Sequence, residues 1–251
     1  MGIEPRIDPD VRILDDPESL ARAAAGEFVR LAREATAARG AFFVALSGGS
    51  TPRRAYELVA EPEFRERVDW ERVVLFLVDE RHVPPTHPDS NYRMVDAALA
   101  SRVPLPPGGI ERYATEDSDP AAVASRAETR LRERFRLGPD DAPRFDLVML
   151  GLGADGHTAS IFPGTTAVAE RRRLVAPVRV EELGAWRLTL TLPVINRARS
   201  IVFLVSGAGK AAILSRVLLG GPESPELPAR LVRPSDGSLV WLVDRDAASK
   251  L

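Results

Sequence analysis

Four short polar stretches gather the side chains and glycines from which a chemical site can be built: SGGSTP at 47–52, DERHVPP at 79–85, GLGADGHTAS at 151–160 and SGAGK at 206–210. In the first, Gly48 and Gly49 permit positive φ and close backbone approach, while Ser47, Ser50 and Thr51 add hydroxyl donors ahead of a helix start. It reads equally as a phosphate cradle or as a helix capped by Thr51 behind a tight turn. SGAGK repeats the logic and ends in Lys210, a cation placed where a helix begins. Cations are disfavoured at that end of the dipole, so a nearby anion would account for it. The stretch is not a Walker A loop, which needs four residues between its glycines and a Ser or Thr after the lysine.

His157 follows Asp155-Gly156 at the end of an apolar run, where an imidazole can act as a general base near neutral pH. The same turn spells G-x-G-x-x-G, but no acidic strand end lies about 20 residues on, which argues against a dinucleotide site. Asp79 and Arg81, at a strand end, read as site residues, and Glu80 as a partner in a surface ion pair. His82 and His87 lie in a Pro-rich loop with no Cys or carboxylate cluster, so no metal site is expected.

The elements that must position these groups alternate between short apolar runs and helical periodicity. Asp16-Pro17 starts a helix with Leu20, Ala24, Phe28, Leu31 and Ala35 on one face, ended by Gly40. Buried strands are expected at 41–46, 72–80, 145–151, 200–206 and 238–244. Helices follow at 51 onward, Asn91 to Ser101, Asp119-Pro120 to Arg136, and from about Lys210. That alternation predicts βαβ units and a three-layer, Rossmann-like, mostly parallel α/β sheet, in which ligands bind outside the carboxyl ends of the strands. In 186–192, Trp186, Leu188, Leu190 and Leu192 alternate with Arg187, Thr189 and Thr191, predicting one buried and one wet face. With 174–180 it suggests a smaller, partly antiparallel section at about 170–195 inside a single domain spanning 1–251. ERRR at 170–173 reads as a solvated turn.

Composition narrows the function classes. With 45% hydrophobic and 28% charged residues in a 251-residue chain, a large core is easily buried. There is no apolar run long enough for a membrane span, and the opening MGIEPRIDPD is too polar and acidic for a secretory signal. A net charge of −2 gives no reason to expect nucleic acid or a membrane surface as partner. The absence of cysteine fits a reducing cytoplasm, and a monomer is compatible with the sequence. Of the 34 basic residues only Lys210 and Lys250 are lysine, so Lys210 is the one internal site where an ammonium stands in place of a guanidinium.

Three blocks, LSGGSTP (46–52), LVDERHVP with DSNYRM (77–94) and GLGADGHTASIFPG (151–164), resemble the 6-phosphogluconolactonases, within the group that also holds glucosamine-6-phosphate deaminases and ribose-5-phosphate isomerases. WRLTLTLPVINRAR (186–199) and the SGAGK segment look like the family's later blocks. After D-G-H this chain continues Thr158-Ala159-Ser160-Ile161-Phe162-Pro163-Gly164, the lactonase form rather than the deaminase one. A sugar-phosphate-sensing regulator is the other class considered, and residues 1–40 offer no helix-turn-helix pair for it.

The resemblance implies hydrolysis of 6-phospho-D-glucono-1,5-lactone to 6-phosphogluconate, without metal or organic cofactor because a lactone is already an activated ester. It implies that His157 takes a proton from water, helped by Asp155, with backbone N–H groups of 151–157 as oxyanion donors. The substrate would be held by Ser47, Gly48, Gly49, Ser50, Thr51, Asp79, Arg81, Arg187 and Lys210.

Overall fold

A computed structural model describes residues 10–220 and 227–251; all but the last residue of the opening MGIEPRIDPD, read as no secretory signal, lies outside them. In chain order the elements are β1 (Asp10–Leu14), α1 (Pro17–Arg39), β2 (Phe42–Leu46), α2 (Ser50–Val59), α3 (Pro62–Arg65), β3 (Val73–Leu77) and β4 (Asp79–Arg81). Then come α4 (Asn91–Ala98), β5 (Ile110–Glu111), α5 (Pro120–Phe135), β6 (Leu147–Gly151), α6 (Thr166–Ala169), β7 (Val175–Val180) and β8 (Ala185–Leu190). The chain ends with α7 (Leu192–Ile195), β9 (Ser200–Val205), α8 (Ala211–Leu219) and β10 (Ser238–Asp244).

Local chemistry sets the helix ends. The Asp16 carboxylate accepts the Ser19 N–H at 2.7 Å with Pro17 in the first turn, and Gly40, at φ 78°, closes α1. Asp119 caps α5 in the same way, through the Ala121 N–H at 2.9 Å. Strands β2, β3, β6, β9 and β10 are buried almost throughout, as expected where helices cover both faces of a parallel sheet. The seven-stranded sheet runs β1-β10-β9-β6-β2-β3-β5 with every pair parallel. Its order reverses between β2 and β6, the kind of switch point at which such sheets open a crevice for a ligand.

The structure corrects the expected strand at 72–80. Val78 donates its N–H to Leu46 O in β2 at 2.9 Å, while its carbonyl accepts the Leu190 N–H at 2.8 Å. The chain thus leaves the large sheet there, and Asp79–Arg81 joins a three-stranded antiparallel sheet, β4-β8-β7. The smaller section therefore draws one strand from 79–81 besides the two between 170 and 195. The wet face expected of 186–192 is also corrected: Thr189 and Thr191 are fully buried, and Trp186 is 39% exposed. The Thr189 and Thr191 hydroxyls donate to the Leu190 and Arg173 carbonyls, so burial leaves neither unbonded. Strands β1 and β5 were not expected, one carrying charges in only five residues and the other being two residues long.

An aromatic cluster fixes α5 to the sheet. Phe145 is fully buried, with its ring centroid 5.2 Å from Phe76 and 5.0 Å from Phe135, and Phe135 lies 4.6 Å from Phe43. Phe145→Ala should destabilise the fold by about 3–5 kcal/mol, read as a lower denaturant midpoint, and Phe145→Leu by less. An unchanged midpoint for the alanine variant would show that this cluster does not hold the helix.

Candidate active site

The four polar stretches meet at the carboxyl edge of the large sheet and line one cleft of about 310 Å³. Ser47–Pro52 follows β2 and Gly151–Ala154 follows β6, so the switch point forms its floor. Asp79, Arg81 and Arg187 enter from the small sheet, and Ser206 and Lys210 from the turn after β9. Asp155 is not in the cleft wall itself; it reaches the site through His157.

The imidazole and the carboxylate form a tight pair. Asp155 Oδ1 lies 2.6 Å from His157 Nδ1 and also accepts the His157 backbone N–H at 3.1 Å. Burial alone would raise the Asp155 pKa, but the N–H, charge and ring of His157 outweigh it and hold it below the usual value. An ionised carboxylate can only accept, so Nδ1 carries the proton and Nε2 is left with its lone pair. Phe162, which sequence reasoning passed over, lies 4.1 Å from the imidazole, centroid to centroid. The Arg187 guanidinium lies 5.7 Å from the other ring contact of the stack, the Phe162 centroid. Ala159, beside them in the cleft, holds a left-handed φ of 52°, the kind of backbone strain that accumulates at functional sites.

Arg81 and Arg187 are register partners across β4 and β8, which places two cations side by side on one face. Each has a buried Nε with no hydrogen-bond partner, and so does the Ser47 hydroxyl in the same cleft. Burial pushes the Arg187 guanidinium below its ordinary pKa, with Asp79 pulling the other way and Arg81 adding to the depression. Like charges held together beside orphaned donors call for an anion.

Glu80 is the clear miss. It is buried, not part of a surface ion pair, and accepts N–H bonds from Arg81, Asn91 and Tyr92 and the Ser90 hydroxyl. Three of these four donors sit at the start of α4, where free N–H groups and the helix dipole favour a carboxylate. Burial nonetheless raises its pKa. Asp79 lines the cleft with both oxygens engaged, by Ser160 Oγ at 2.6 Å and Asn91 Nδ2 at 3.1 Å. Asn91 was also missed, although it stands in the SNYRM segment just after the Ser90 cap.

The two glycine-rich loops differ. Helix α2 begins at Ser50 with Gly49 as its cap and no side-chain cap, so Thr51 does not cap it as expected. Gly49 takes φ 111°, and the first N–H groups of α2 remain open beside the cleft. The later turn is tied down by Asp244, a buried acid at the end of β10, which accepts the Gly207 N–H at 3.0 Å and bonds the Ser206 hydroxyl. Lys210, half-buried at the cap of α8, has no acceptor among the described residues. His82 Nε2 instead lies 2.7 Å from Asp117 O, and among the described residues no three metal-binding side chains cluster.

The family described as glucosamine-6-phosphate isomerases/6-phosphogluconolactonase matches residues 15–241. A curated 6-phosphogluconolactonase from Synechocystis is 42% identical over 218 residues, covering 87% of this chain and 88% of the relative. The one from Homo sapiens is 40% identical, covering 85% and 82%. Among solved structures, a 6-phosphogluconolactonase from Trypanosoma cruzi superposes with a TM-score of 0.87 at 27% identity, over 100% of this chain and 99% of that one.

Gly153 gives the dyad its room: a Cβ there would lie 2.1 Å from His157 Nδ1 and 2.7 Å from Asp155 Oδ1. Gly153→Ala should therefore push the imidazole aside and lower kcat by roughly 10²-fold, the cost of misplacing a reacting group by about 1 Å, with the melting temperature little changed. Native kcat in the folded variant would show that this dyad geometry is not the working one.

Proposed function

The chain belongs to the family of glucosamine-6-phosphate isomerases and 6-phosphogluconolactonases, and from that premise we propose that it hydrolyses 6-phospho-D-glucono-1,5-lactone to 6-phospho-D-gluconate. The observation that carries this reading is the pairing of an Asp155-bound His157 with three buried, unpartnered donors, Ser47 Oγ, Arg81 Nε and Arg187 Nε. One half of that set activates water and the other half awaits an anion. The cleft volume of about 310 Å³ suits a small sugar phosphate.

His157 Nε2 takes a proton from water as its oxygen attacks the lactone carbonyl, and Asp155 stabilises the imidazolium that forms. The tetrahedral oxyanion then collapses, the ring C–O bond breaks, and the imidazolium returns its proton to the departing ring oxygen. Within the 151–157 turn, the Gly153, Gly156 and His157 N–H groups already donate internally. Ala154, which lies in the cleft wall beside His157, supplies a backbone N–H as one donor to the oxyanion. Arg81, Arg187, Lys210 and the open start of α2 bind the phosphate. No step requires a metal, since the substrate is already activated.

The test is an assay on freshly generated 6-phosphogluconolactone, with spontaneous opening subtracted and glucosamine 6-phosphate as the control substrate. Turnover of the control and not of the lactone would overturn the reading. His157→Ala should lower kcat by roughly 10²–10⁴ with KM little changed, because the phosphate contacts remain. A variant with near-native kcat would remove His157 from the chemistry.

Lys210→Ala removes a charged hydrogen bond, so kcat/KM should fall roughly 10–150-fold, mostly through KM. Lys210→Arg should restore only part of the loss, because a planar fork needs more room than an ammonium. Unphosphorylated gluconolactone should be hydrolysed poorly by the native chain, and the alanine change should leave that residual rate nearly untouched. Equal proportional losses on both lactones would place Lys210 at the carbonyl instead.

A further inference from the structure

Asn91 meets two of the four cleft loops, reaches a third through Asp79, and is consumed by none of the chemistry proposed above. It is buried, at the first position of α4, and its own N–H is held by Glu80 Oε1 at 2.7 Å. Its amide nitrogen donates to Asp79 O at 2.9 Å and to Asp79 Oδ1 at 3.1 Å, using both of its hydrogens. Its Oδ1 accepts from Arg81 Nη1 at 2.6 Å. The same oxygen fills the space above Gly48, where a Cβ would lie only 1.8 Å from it. Asp79 in turn carries the link to the 158–161 turn through Ser160.

We propose that Asn91 is the positioning residue that fixes the Arg81 guanidinium against the Ser47–Ser50 loop, and that selectivity for a phosphorylated over an unphosphorylated ligand depends on it. The reasoning is steric and electrostatic. Arg81 faces Arg187 across the strand pair, so an unanchored guanidinium would swing away from its like-charged neighbour toward water. Two acceptors prevent this, the Asp89 carbonyl at 2.7 Å and Asn91 Oδ1. Both hold the same Nη1 and leave the buried Nε without a partner. Asn91 is the neutral choice for this anchor: a carboxylate in its place would cancel part of the positive field and face Asp79 at hydrogen-bond distance. Glycine at 48 is the matching half of the device, since any side chain there would displace the amide.

The proposal rests on the phosphate-binding reading of Arg81, and binding rather than turnover separates the two. Dissociation constants for 6-phosphogluconate and for gluconate are measured by calorimetry on the native chain, Asn91→Ala, Asn91→Ser, Arg81→Ala and the Asn91→Ala/Arg81→Ala double variant. Serine keeps a polar group near Asp79 but is one bond too short to hold Arg81, so it guards against misfolding of the alanine variant. Both Asn91 variants should weaken 6-phosphogluconate binding roughly tenfold or more, the effect of losing a charged hydrogen bond, and leave gluconate binding within about twofold. The double variant should bind no worse than Arg81→Ala alone, because the two residues act as one unit. Additive losses, or equal losses on both ligands, would overturn the assignment. A native chain that binds 6-phosphogluconate with the expected coupling yet fails to hydrolyse the lactone would leave Asn91 in place and overturn the proposed activity instead.

Discussion

The cleft depends on one residue, Val78, whose N–H belongs to the large sheet and whose carbonyl belongs to the small one. With bonds to Leu46 and Leu190 made from opposite sides of one residue, the small sheet cannot hinge about the end of β3 without breaking a ladder. The three residues that follow are therefore delivered at a fixed angle, and their antiparallel pairing sets Arg81 directly opposite Arg187. Cross-strand like charges are destabilising in an ordinary sheet. Here the unfavourable pair lies in the cleft wall, where, on the proposed function, a bound phosphate would turn the repulsion into a two-sided grip.

The buried carboxylates explain why those cations stay uncommitted. Glu80, Asp79 and Asp244 are each almost wholly buried, and each is satisfied by N–H or O–H donors rather than by a guanidinium. Had Glu80 closed onto Arg81, the cleft would hold a neutral ion pair that a phosphate must first open. Turned inward to the start of α4, it stabilises a helix end and leaves the guanidinium charge facing the cleft. Asp244 does the equivalent for the turn that carries Lys210. A cleft whose donors are fixed before the substrate arrives avoids reorganisation when charge develops.

Much of this was legible in the sequence. Long amphipathic helices with Asp-Pro starts and short apolar strands announced the layered sheet, and glycine-rich strand ends marked its working edge. What failed was of two kinds. A continuous apolar run such as 72–80 does not reveal that its hydrogen bonds pass from one sheet to another, because both environments are buried. Nor does an acidic residue reveal its direction: Glu80 in a DER triplet looks solvated until the helix that needs its charge is seen to begin eleven residues later. Asn91, Ser160, Phe162 and Asp244 escaped for a related reason. Their partners are 10 to 81 residues away for Asn91 and Ser160, and no local spacing encodes such contacts.

The lone internal lysine follows from the same division of labour. The turn at 206–207 is pinned by Asp244, and the backbone at 210 is bonded to the Gly207 carbonyl, so the Cα of Lys210 has little freedom. Two guanidiniums already approach the cleft from the small sheet, each with a planar fork whose orientation is set by its strand. A third fork from the opposite side would have to match a fixed anion along a fixed direction from an immobile backbone. An ammonium on a four-carbon stem carries its charge to a point and donates in three directions, so on the proposed function it would meet whichever phosphate oxygen the arginines leave. In a chain that otherwise uses arginine for its internal cations, that geometric difference is a sufficient physical reason for lysine at 210.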